Sequence, residues 1–432
     1  MTSAATYLPQ RRGACPGLSV PMPSGDGLLA RLRPSGTISL LAFAALCAAA
    51  REFGNGVIEI TGRGSIQIRG LTAASAPLFA DSITALAIAA DDGVPVHTDA
   101  LAGLDAEEIL DAGSIAADLR RTLAHTSLAE RLAPKLSVAI DGGGALGLDN
   151  LAADIRLGAD LVNGAAVFHV GVAGNAATAT HLGVVASADG VKAARRLLEI
   201  IARHGRMARA RDVLATHGVA PFATALADLV VAPDHSGPRR PTRVAGPIGR
   251  HLLREESFAF GVGLAFGHAD AATLERLAQA ANNSGTAGIR AAADRALLIV
   301  GLTVQTASTV AAEAERLGFV VRANDPRRYV VACAGAPVCA AAHIAARTLA
   351  PTVAEAARTH LDSDSLIHIS GCAKGCAHPG AARLTIVGRH DGCAVISNGS
   401  VRDASVAFAA ANELPSLIAE MMRDAKCEAA HV

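Results

Sequence analysis

Two spacings of apolar residues recur along the chain and predict both strands and helices. In "VIEITG" and "SIQIRGL", within residues 57–71, apolar and polar residues alternate with a period of two, which is typical of strands with one buried face. In "ATLERLAQAANN", residues 272–283, the apolar residues follow the 3.6-residue period of an amphipathic helix, and Asp270 is placed to cap it. The pattern therefore predicts an α+β protein.

A long apolar run, "PSGTISLLAFAALCAAA" from Pro34 to Ala50, predicts a buried helix. It is too short and too rich in alanine to span a bilayer comfortably, and Ser35 or Thr37 is expected to cap the helix. The N-terminal residues contain no apolar segment of the kind that marks a secretory signal. We therefore expect a cytoplasmic protein with reduced thiols and no membrane partner.

The predicted elements occur twice along the chain. Residues 26–71 and 258–302 each read as strand, helix, glycine-containing turn, strand, turn and strand, and each ends in Gly-Leu. Residues 136–174 and 366–399 are related more weakly, since each has a β run that enters a glycine-rich loop and leaves through a further strand. The repeat predicts a pseudo-twofold duplication, joined by the Pro/Gly/Arg-rich residues 231–250.

Composition and charge argue against nucleic acid as a partner. The formal net charge is zero and the pI is about 7.3, so no polyanion-binding surface is indicated. Aromatic residues make up only 3% of the chain, which is unlike a protein that stacks nucleic-acid bases. "GDGLLA", residues 25–30, matches a dinucleotide fingerprint in its letters, but it precedes a strand and so predicts no nucleotide site.

Four of the eight cysteines form two pairs in the last quarter of the chain. "CAGAPVC" is a C-x5-C pair and "CAKGC" is a C-x3-C pair, and together they comprise Cys333, Cys339, Cys372 and Cys376. In a reducing compartment, clustered cysteines are more often metal ligands than disulfides. An x5 spacing is less typical of zinc and suits a 4Fe–4S cluster, whose corners are well separated. A zinc site and four unrelated buried thiols are the alternatives.

This cysteine pattern, at the end of a twofold-repeated chain, resembles the nitrite/sulfite reductase superfamily. Its members pair ferredoxin-like half-domains with cluster-type domains and hold a 4Fe–4S cluster, in most cases beside a sirohaem. "LARLRPSG", "ITGRGSIQIRG", "ALAGLD" and "LAPKLSVAI" also match, so the resemblance covers nearly the whole chain. The cysteine pattern is the specific part of the resemblance, and the other matches support it.

Several cationic positions of the sirohaem enzymes are missing from this sequence. Of two lysines in their "PKLS" strand only Lys135 matches, Ser137 takes the second position, and an arginine before "LAGLD" is absent. Because sirohaem carries many carboxylates, no sirohaem is expected. "RRGACPGLSVPMPSGDGLLARLRP", "VRANDPRRYVVACAGAPVCAAA" and "HISGCAKGCAHP" look like one branch of the superfamily, the precorrin-3B synthase family.

The resemblance implies an oxygen-dependent monooxygenase of aerobic cobalamin biosynthesis. Such an enzyme converts precorrin-3A to precorrin-3B by hydroxylating a meso carbon and closing a γ-lactone. The implied cofactors are a 4Fe–4S cluster that relays electrons and a mononuclear non-haem iron, and the implied partners are precorrin-3A, dioxygen and an external electron-donating reductase. Two alternatives stay open: a sirohaem-dependent nitrite or sulfite reductase, and a non-catalytic iron–sulfur carrier.

The same resemblance implies a domain organisation. An N-terminal ferredoxin-like half-domain (1–75) and a first reductase-type domain without cluster cysteines (76–230) precede the linker (231–250). A second ferredoxin-like half-domain (251–320) and the 4Fe–4S cluster domain (321–432) follow it. Only the C-terminal reductase-type domain is expected to carry the cluster.

Basic residues are the candidates for binding the substrate carboxylates. By family position, Arg63, Arg69 and Lys135 are expected on strands that face the cleft between the two halves. Lys374, between two cysteines, is expected to contact the substrate or to tune the cluster. For each of these four residues the alternative is a solvated surface charge.

Ligands for a mononuclear iron are harder to assign. Such iron often takes two histidines and one carboxylate. His97, His368 and His378 are the histidines expected near the cavity or the cluster. Three H-x-D motifs begin at His97, His268 and His360, and none lies in a pattern that convincingly predicts a strand. The aspartates of two of these motifs are expected in polar turns.

Overall fold

The computed structural model describes residues 16–90, 93–232, 246–361 and 366–429, of which 424–429 are described by their backbone only. Its strands are β1 Met22–Ser24, β2 Gly27–Leu32, β3 Val57–Ile60, β4 Ile66–Leu71, β5 Val96–His97, β6 Val138–Asp141, β7 Ala153–Val162, β8 Ala165–Gly174, β9 Thr180–Ala186, β10 Val230–Ala232, β11 Gly249–Leu252, β12 Phe258–Gly263, β13 His268–Asp270, β14 Gly288–Ala292, β15 Ala296–Leu302, β16 Val330–Ala332, β17 Ile367–Ser370, β18 Ala382–Arg389, β19 Gly392–Gly399 and β20 Ala407–Ala409. Its helices are α1 Leu40–Phe53, α2 Ser75–Ala85, α3 Ala112–Ala124, α4 Gly190–Arg203, α5 Ala210–His217, α6 Ala220–Leu226, α7 Ala271–Asn283, α8 Val304–Arg316, α9 Ala346–Ala357 and α10 Leu414–Ala429.

The sheet that contains β1 to β4 and the sheet that contains β11, β12, β14 and β15 have the same strand arrangement. In one, the strand order is β1-β2-β4-β3, with α1 and α2 following β2 and β4 along the chain. In the other it is β11-β12-β15-β14, with α7 and α8 in the corresponding places. The repeated order of strand, helix, strand and strand predicted for residues 26–71 and 258–302 is confirmed.

Most local patterns behave as their spacing predicts, but β4 is buried on both faces rather than on one, since Gln67 and Arg69 are also buried. In β3 the burial alternates along Val57–Ile60, and Asp270 caps α7 by accepting a hydrogen bond from the Ala272 N–H at 2.8 Å. The cap predicted for the apolar helix is wrong, because Ser39 rather than Ser35 or Thr37 caps α1. Residue Ile38 is still extended, since its backbone exchanges two hydrogen bonds with Ile289 of β14, each of 2.8 Å.

The two half-sheets share one hydrophobic core. Phe43 and Leu46 of α1 are fully buried in the same apolar cluster as Leu274 and Leu277 of α7. In addition, β13 from the second half pairs with β3 and so completes the first sheet. Replacing Phe43 with alanine would leave a cavity and cost about 3–5 kcal/mol of stability.

The sheet of strands β5 to β10 and the sheet of strands β16 to β20 also correspond to each other. The strand β5 lies parallel to β6, and β6 to β7, after which β8 and β9 continue antiparallel. The strand β16 lies parallel to β17, and β17 to β18, and the antiparallel strands β19 and β20 follow. Each sheet has its own core.

The predicted linker, residues 231–250, is only partly described. Its first two residues belong to β10 and its last two to β11, while residues 233–245 lie outside the described part of the chain. Among the described helices, none combines the length and the apolar character needed to cross a membrane. The apolar run that contains α1 instead packs into the shared core.

Candidate cluster site and basic cleft

The two loops that carry the paired cysteines leave the same edge of one sheet. Cys333 follows β16 directly, and Cys372 lies two residues after β17. Because the carboxyl ends of parallel strands meet at one edge, the loops lie side by side. The Cys333 N–H donates to the Ile369 carbonyl oxygen at 3.1 Å, and the His343 N–H donates to the Gly371 carbonyl oxygen at 2.8 Å. Cysteine pairs that are distant in sequence thus occupy one region.

Backbone groups approach the cysteine sulfurs closely. The Gly371 N–H donates to Cys333 Sγ at 3.0 Å. Gly25, in the turn between β1 and β2, lies against Cys339 Sγ so closely that a side chain there would overlap the sulfur. The Ala340 N–H donates to the Gly25 carbonyl oxygen at 2.8 Å. An N–H group near sulfur, such as that of Gly371, stabilises thiolates and clusters. Because Gly25 packs against Cys339 Sγ, the N-terminal hairpin also forms part of this site.

The four thiols interact electrostatically with one another. Burial raises the pKa of Cys333, and Cys372 and Cys339 raise it further against the opposing hydrogen bonds from backbone N–H groups. Burial also raises the pKa of Cys376, and the other three thiols add to this effect. Interactions of this kind require the thiols to lie in one neighbourhood. Cys376 is exposed, whereas the other three are partly buried.

The four cysteines can be compared with the needs of a single metal ion and of a cluster. Within the described residues, no three His, Cys, Asp or Glu side chains are arranged to hold one ion. In a 4Fe–4S cluster each iron takes one thiolate, so more widely spaced sulfurs suffice. The four thiols and the amide at Cys333 fit such a cluster, and the exposed Cys376 leaves one edge open to solvent.

The remaining described cysteine side chains lie in hydrophobic cores. Cys47 of α1 and Cys393 of β19 are both fully buried, each in the core of its own unit. Burial raises the pKa of Cys47 to about 12, so this thiol stays protonated near neutral pH. These two residues behave as small apolar side chains.

A basic cleft lies where the two half-sheets meet the loops around β5 and β6. It encloses about 1220 Å³, including solvent at its mouth. Arg33, Arg63 and Arg120 line this cleft, together with His97 and Asp99. Arg120 Nη2 donates to the Val96 carbonyl oxygen at 2.7 Å, which holds its guanidinium at the cleft wall. Guanidinium groups bind carboxylates in a two-pronged geometry, so the cleft suits a polyanionic ligand.

Two of the titratable groups that line the cleft, which Asp294 also lines, have strongly shifted pKa values. Burial lowers the pKa of His97 to about 4, and Arg63, Arg33 and Arg120 lower it further by charge repulsion. Burial raises the pKa of Asp99 to about 8, although its carboxylate accepts a hydrogen bond from the Leu101 N–H at 2.7 Å. The cleft therefore presents a neutral imidazole and a protonated carboxyl group beside fixed positive charges.

The structure places the predicted substrate-binding residues in different surroundings. Arg63 lines the cleft, but it lies in the turn between β3 and β4 and not on a strand. Lys135 lies exposed in a turn before β6 and is not among the described residues that line the cleft. Lys374 is exposed between Cys372 and Cys376. The expected strand positions of Arg63 and Lys135 are wrong, because β4 and β6 each begin three residues later.

Arg69 is on strand β4 as expected, but ion pairs occupy its guanidinium. Its Nε and Nη2 each donate to a carboxylate oxygen of Asp26 at 2.7 Å, and Nη1 lies 3.3 Å from Glu59 Oε2. Glu59 also accepts a hydrogen bond from Arg347 of α9 at 2.9 Å. This network connects the N-terminal hairpin to the cluster-bearing unit, and Arg69 is close enough to Cys376 to oppose the rise in its pKa.

Two of the candidate histidines lie beneath the cluster loops. His368 of β17 is fully buried, and neither of its ring nitrogens has a hydrogen-bond partner among the described residues. Its ring meets that of His378 edge-on at 5.9 Å. Burial, together with His378 and Arg295, lowers the pKa of His368 to about 3. His97, the third candidate, ends β5 and lines the cleft.

The described residues do not fit a site for a mononuclear iron. Asp160, His169 and His181 come closest to two histidines and a carboxylate, but both ring nitrogens of His169 are used, at 3.1 Å to Asp160 and 3.4 Å to His181. Of the H-x-D motifs, the one at His97 places both His97 and Asp99 in the cleft. The carboxylate of the one at His360 lies outside the described residues.

Three residues of the cleft were missed by the sequence analysis. Arg33 lies within the quoted "LARLRPSG" match, which could have identified it. Asp99 lies within an H-x-D motif that the sequence placed in a polar turn. Arg120 has no local signal, since it is one of several arginines on the amphipathic helix α3 and only the packing of α3 brings it to the cleft.

Comparisons with known proteins agree with this architecture. Residues 20–86 match the family model of the nitrite/sulfite reductase ferredoxin-like half domain. The solved structure of the NirA protein of Mycobacterium tuberculosis superposes with a TM-score of 0.74 over 92% of this chain and 80% of that chain, at 19% identity. A ferredoxin–nitrite reductase of Synechococcus elongatus is 24% identical over 84% of this chain and 77% of its own length. The fold is that of the nitrite/sulfite reductase class, an α+β fold with several mixed sheets.

A more similar relative identifies the family within this class of proteins. A precorrin-3B synthase of Sinorhizobium sp. is 37% identical over 421 residues, which cover 97% of this chain and 90% of the relative. The chain belongs to the precorrin-3B synthase family and is an oxidoreductase. The family and superfamily resemblance predicted from the cysteine pattern is confirmed.

Proposed function

We propose that the chain is an oxygen-dependent monooxygenase of aerobic cobalamin biosynthesis that converts precorrin-3A to precorrin-3B. The observation that carries the proposal is the 37% identity to a precorrin-3B synthase over nearly the whole chain. The two cysteine loops and the arginine-lined cleft support it, because the reaction requires single electrons and a site for a tetrapyrrole that carries many carboxylates. The reaction hydroxylates a meso carbon and closes a γ-lactone.

We assign the 4Fe–4S cluster to Cys333, Cys339, Cys372 and Cys376. When bound, such a cluster passes electrons one at a time, which reduction of dioxygen requires. Gly371 contributes an N–H at Cys333 Sγ and so stabilises negative charge at that sulfur. Cys376 is exposed, so its loop gives an external electron-donating reductase access to the site. No step is assigned to a mononuclear iron, since the described residues do not fit one.

The cleft binds and orients the substrate. Arg33 and Arg63 hold carboxylates of the tetrapyrrole through charge-assisted hydrogen bonds, and Arg120 adds a third positive charge to the cleft lining. Asp99 holds a proton on its carboxyl group near neutral pH, so it can donate a hydrogen bond to an oxygen of the substrate. The neutral imidazole of His97 can accept or donate a hydrogen bond and so help to orient a polar group of the substrate.

The domain assignment is also part of this proposal. The chain would be a pseudo-twofold duplication of a ferredoxin-like half-domain (1–75 and 251–320) and a reductase-type domain (76–230 and 321–432). The matching strand orders of the paired sheets support this division. Only the second reductase-type domain would carry a cluster, because the loop after β6 contains glycines where the loop after β17 contains cysteines.

One experiment tests the proposed activity. Protein purified without oxygen is incubated with precorrin-3A, a chemical reductant and air, and the product is analysed by mass spectrometry. The expected result is a product that has gained one oxygen atom, formed by the wild type and not by the Cys372→Ser variant. A protein that instead shows the intense Soret band of a sirohaem and reduces nitrite or sulfite would be the alternative reductase, and the monooxygenase proposal would fall.

A further inference from the structure

Arg295 is placed between the basic cleft and the cluster loops. It lies in the turn that joins β14 to β15, next to Asp294, which lines the cleft. The Asp294 N–H donates to the Gly62 carbonyl oxygen at 3.2 Å, and an added Cβ on Gly62 would lie 3.8 Å from Arg295 Nη2. Gly62 is itself a cleft residue. The Arg295 guanidinium therefore sits beside the cleft.

The other side of Arg295 faces the cluster-bearing unit. An added Cβ on Gly267 would lie 3.0 Å from Arg295 Cδ, so the side chain passes tightly over this glycine. Arg295 is also one of the charges that act on the buried His368 and on His378, which lies two residues after Cys376. The Arg295 side chain thus approaches the cleft turn at Gly62 and acts on the two histidines beside the cysteine loops.

No carboxylate of the described residues pairs with this guanidinium. Among the described ion pairs and hydrogen bonds, Arg295 takes part only through its backbone carbonyl, which accepts from the Leu264 N–H at 3.0 Å. Asp294, its neighbour in sequence, is the only acid that acts on it electrostatically. The contrast with Arg69 is informative, since the Arg69 guanidinium has two carboxylate partners. A partly buried positive charge without a partner is unfavourable unless a ligand supplies the anion.

The backbone at Arg295 is strained as well. Asp294 and Arg295 both have left-handed backbone conformations, with φ of 55° and 63°. A turn of this kind favours Asn-Gly, and each non-glycine residue there costs stability. An unpaired charge and an unfavourable backbone at one residue indicate selection for something other than stability. Strain of this kind is concentrated at ligand-binding sites.

We propose that Arg295 binds a carboxylate of the substrate at the inner end of the cleft, on the side that faces the cluster loops. The proposal rests on the proposed function, because the tetrapyrrole supplies the carboxylate. Arg63 forms a backbone β-bridge with Ala293, which lies in the same turn as Arg295. Arg63 would bind a second carboxylate nearer the mouth of the cleft. The two arginines would fix how far the macrocycle enters toward the cluster.

The test measures binding rather than turnover. An octacarboxylate porphyrin is titrated into cluster-loaded wild type and into the Arg295→Gln, Arg295→Lys and Arg316→Gln variants, and binding is followed by porphyrin fluorescence. Arg316 is the matched control, because it is exposed on α8 and paired with Glu313. We expect Arg295→Gln to weaken binding about 10- to 100-fold, Arg295→Lys to weaken it less, and Arg316→Gln to leave it unchanged. Thermal unfolding of Arg295→Gln should occur at the same or a higher temperature than in wild type.

Each contrary result has a distinct meaning. Equal porphyrin binding by Arg295→Gln and wild type overturns the inference and leaves the proposed function intact. Loss of folding or a lowered unfolding temperature in Arg295→Gln also overturns it, because Arg295 would then be structural. A shifted cluster reduction potential with unchanged binding would reassign Arg295 to the cluster. A wild type that binds no octacarboxylate porphyrin would instead count against the proposed substrate itself.

Discussion

Gly25 lies directly against the sulfur of Cys339, although 314 positions separate the two residues in the chain. The contact joins the hairpin turn between β1 and β2 to the first cysteine loop, and the hydrogen bond from the Ala340 N–H to the Gly25 carbonyl oxygen reinforces it. A residue larger than glycine would overlap the sulfur. The cluster site therefore depends on the N-terminal half-domain as well as on the domain that carries the cysteines.

The first prediction concerns this contact. The Gly25→Ala variant should lose at least half of its bound iron, because the added methyl group pushes the Cys339 loop away from its place. Iron and acid-labile sulfide per chain, with the visible absorbance of the cluster, provide the measurement. Gly17→Ala is the control, since an added side chain at Gly17 meets open space. Full iron content in Gly25→Ala would show that the loop adjusts without cost.

The second prediction concerns the four cysteines. Replacing Cys333 or Cys372 with serine should reduce iron from about four atoms per chain to near zero and remove the broad visible absorbance. The matched control is Cys393→Ala, because Cys393 is buried in the core of the same unit away from the loops. Normal iron content in the Cys372→Ser variant would refute the assignment of that residue as a ligand.

The third prediction separates Arg69 from the substrate-binding arginines. The Arg69 side chain is 7% exposed and that of Asp26 is fully buried, so Arg69→Met should destabilise the protein by about 3–5 kcal/mol. Burial raises the pKa of Asp26, but the hydrogen bonds and charge of Arg69 outweigh it and lower the pKa below 3.8. The stabilisation from this pair is therefore present above about pH 4 and is lost as the pH falls further.

Denaturant titrations of wild type, Arg69→Met and Asp26→Asn at pH 7 and pH 3 would measure this effect. The loss from Asp26→Asn should shrink at the lower pH, because Asp26 of the unfolded chain is then largely protonated and the advantage of the folded state falls. Arg316→Met is the control, because its ion pair with Glu313 is exposed to solvent and contributes little to stability. An Arg69→Met variant as stable as wild type that nevertheless binds porphyrin weakly would return Arg69 to the substrate site.

The fourth prediction compares two residues that the sequence treated alike. Arg63 lines the cleft, whereas Lys135 lies exposed in a turn away from it. Arg63→Gln should weaken binding of an octacarboxylate porphyrin about tenfold or more, while Lys135→Gln should change it less than about twofold. A larger effect of Lys135→Gln than of Arg63→Gln would show that the substrate binds elsewhere.

The fifth prediction uses the protonation of Asp99. Its pKa is about 8 in the folded protein against an ordinary value of 3.8 for the unfolded chain, so the folded state holds this proton more tightly. The stability that comes from this proton is complete below about pH 4 and is lost as the pH rises toward 8. Asp99→Asn keeps an acceptor for the Leu101 N–H and carries no charge. It should therefore be more stable than wild type, by on the order of 5 kcal/mol at pH 8, with the difference shrinking toward pH 5.

Urea titrations at about pH 5, 6.5 and 8 would test this prediction for Asp99. A constant difference between the variant and wild type across this range would mean that Asp99 does not titrate there. A variant that is less stable than wild type at pH 8 would mean that the carboxylate is charged and stabilising in the cleft.

Local patterns predicted much of the architecture. The alternation in β3, the period of α7 and the cap at Asp270 depend on residues close in sequence, so they could be recognised there. The start of α1 could not, because pairing of Ile38 with Ile289 keeps the chain extended past Thr37. A contact with a distant strand thus overrode two acceptable local caps.

The sequence by itself determined the family, the repeated order of elements and the four cysteines proposed as ligands, because these depend on spacing along the chain. Only the tertiary structure decided which charges face the cleft. Arg63 and Arg69 are six positions apart, yet one lines the cleft and the other is paired with Asp26 and Glu59. Whether a charged side chain lines a cleft or enters an ion pair depends on burial and on partners from distant segments, and neither can be read from the local pattern.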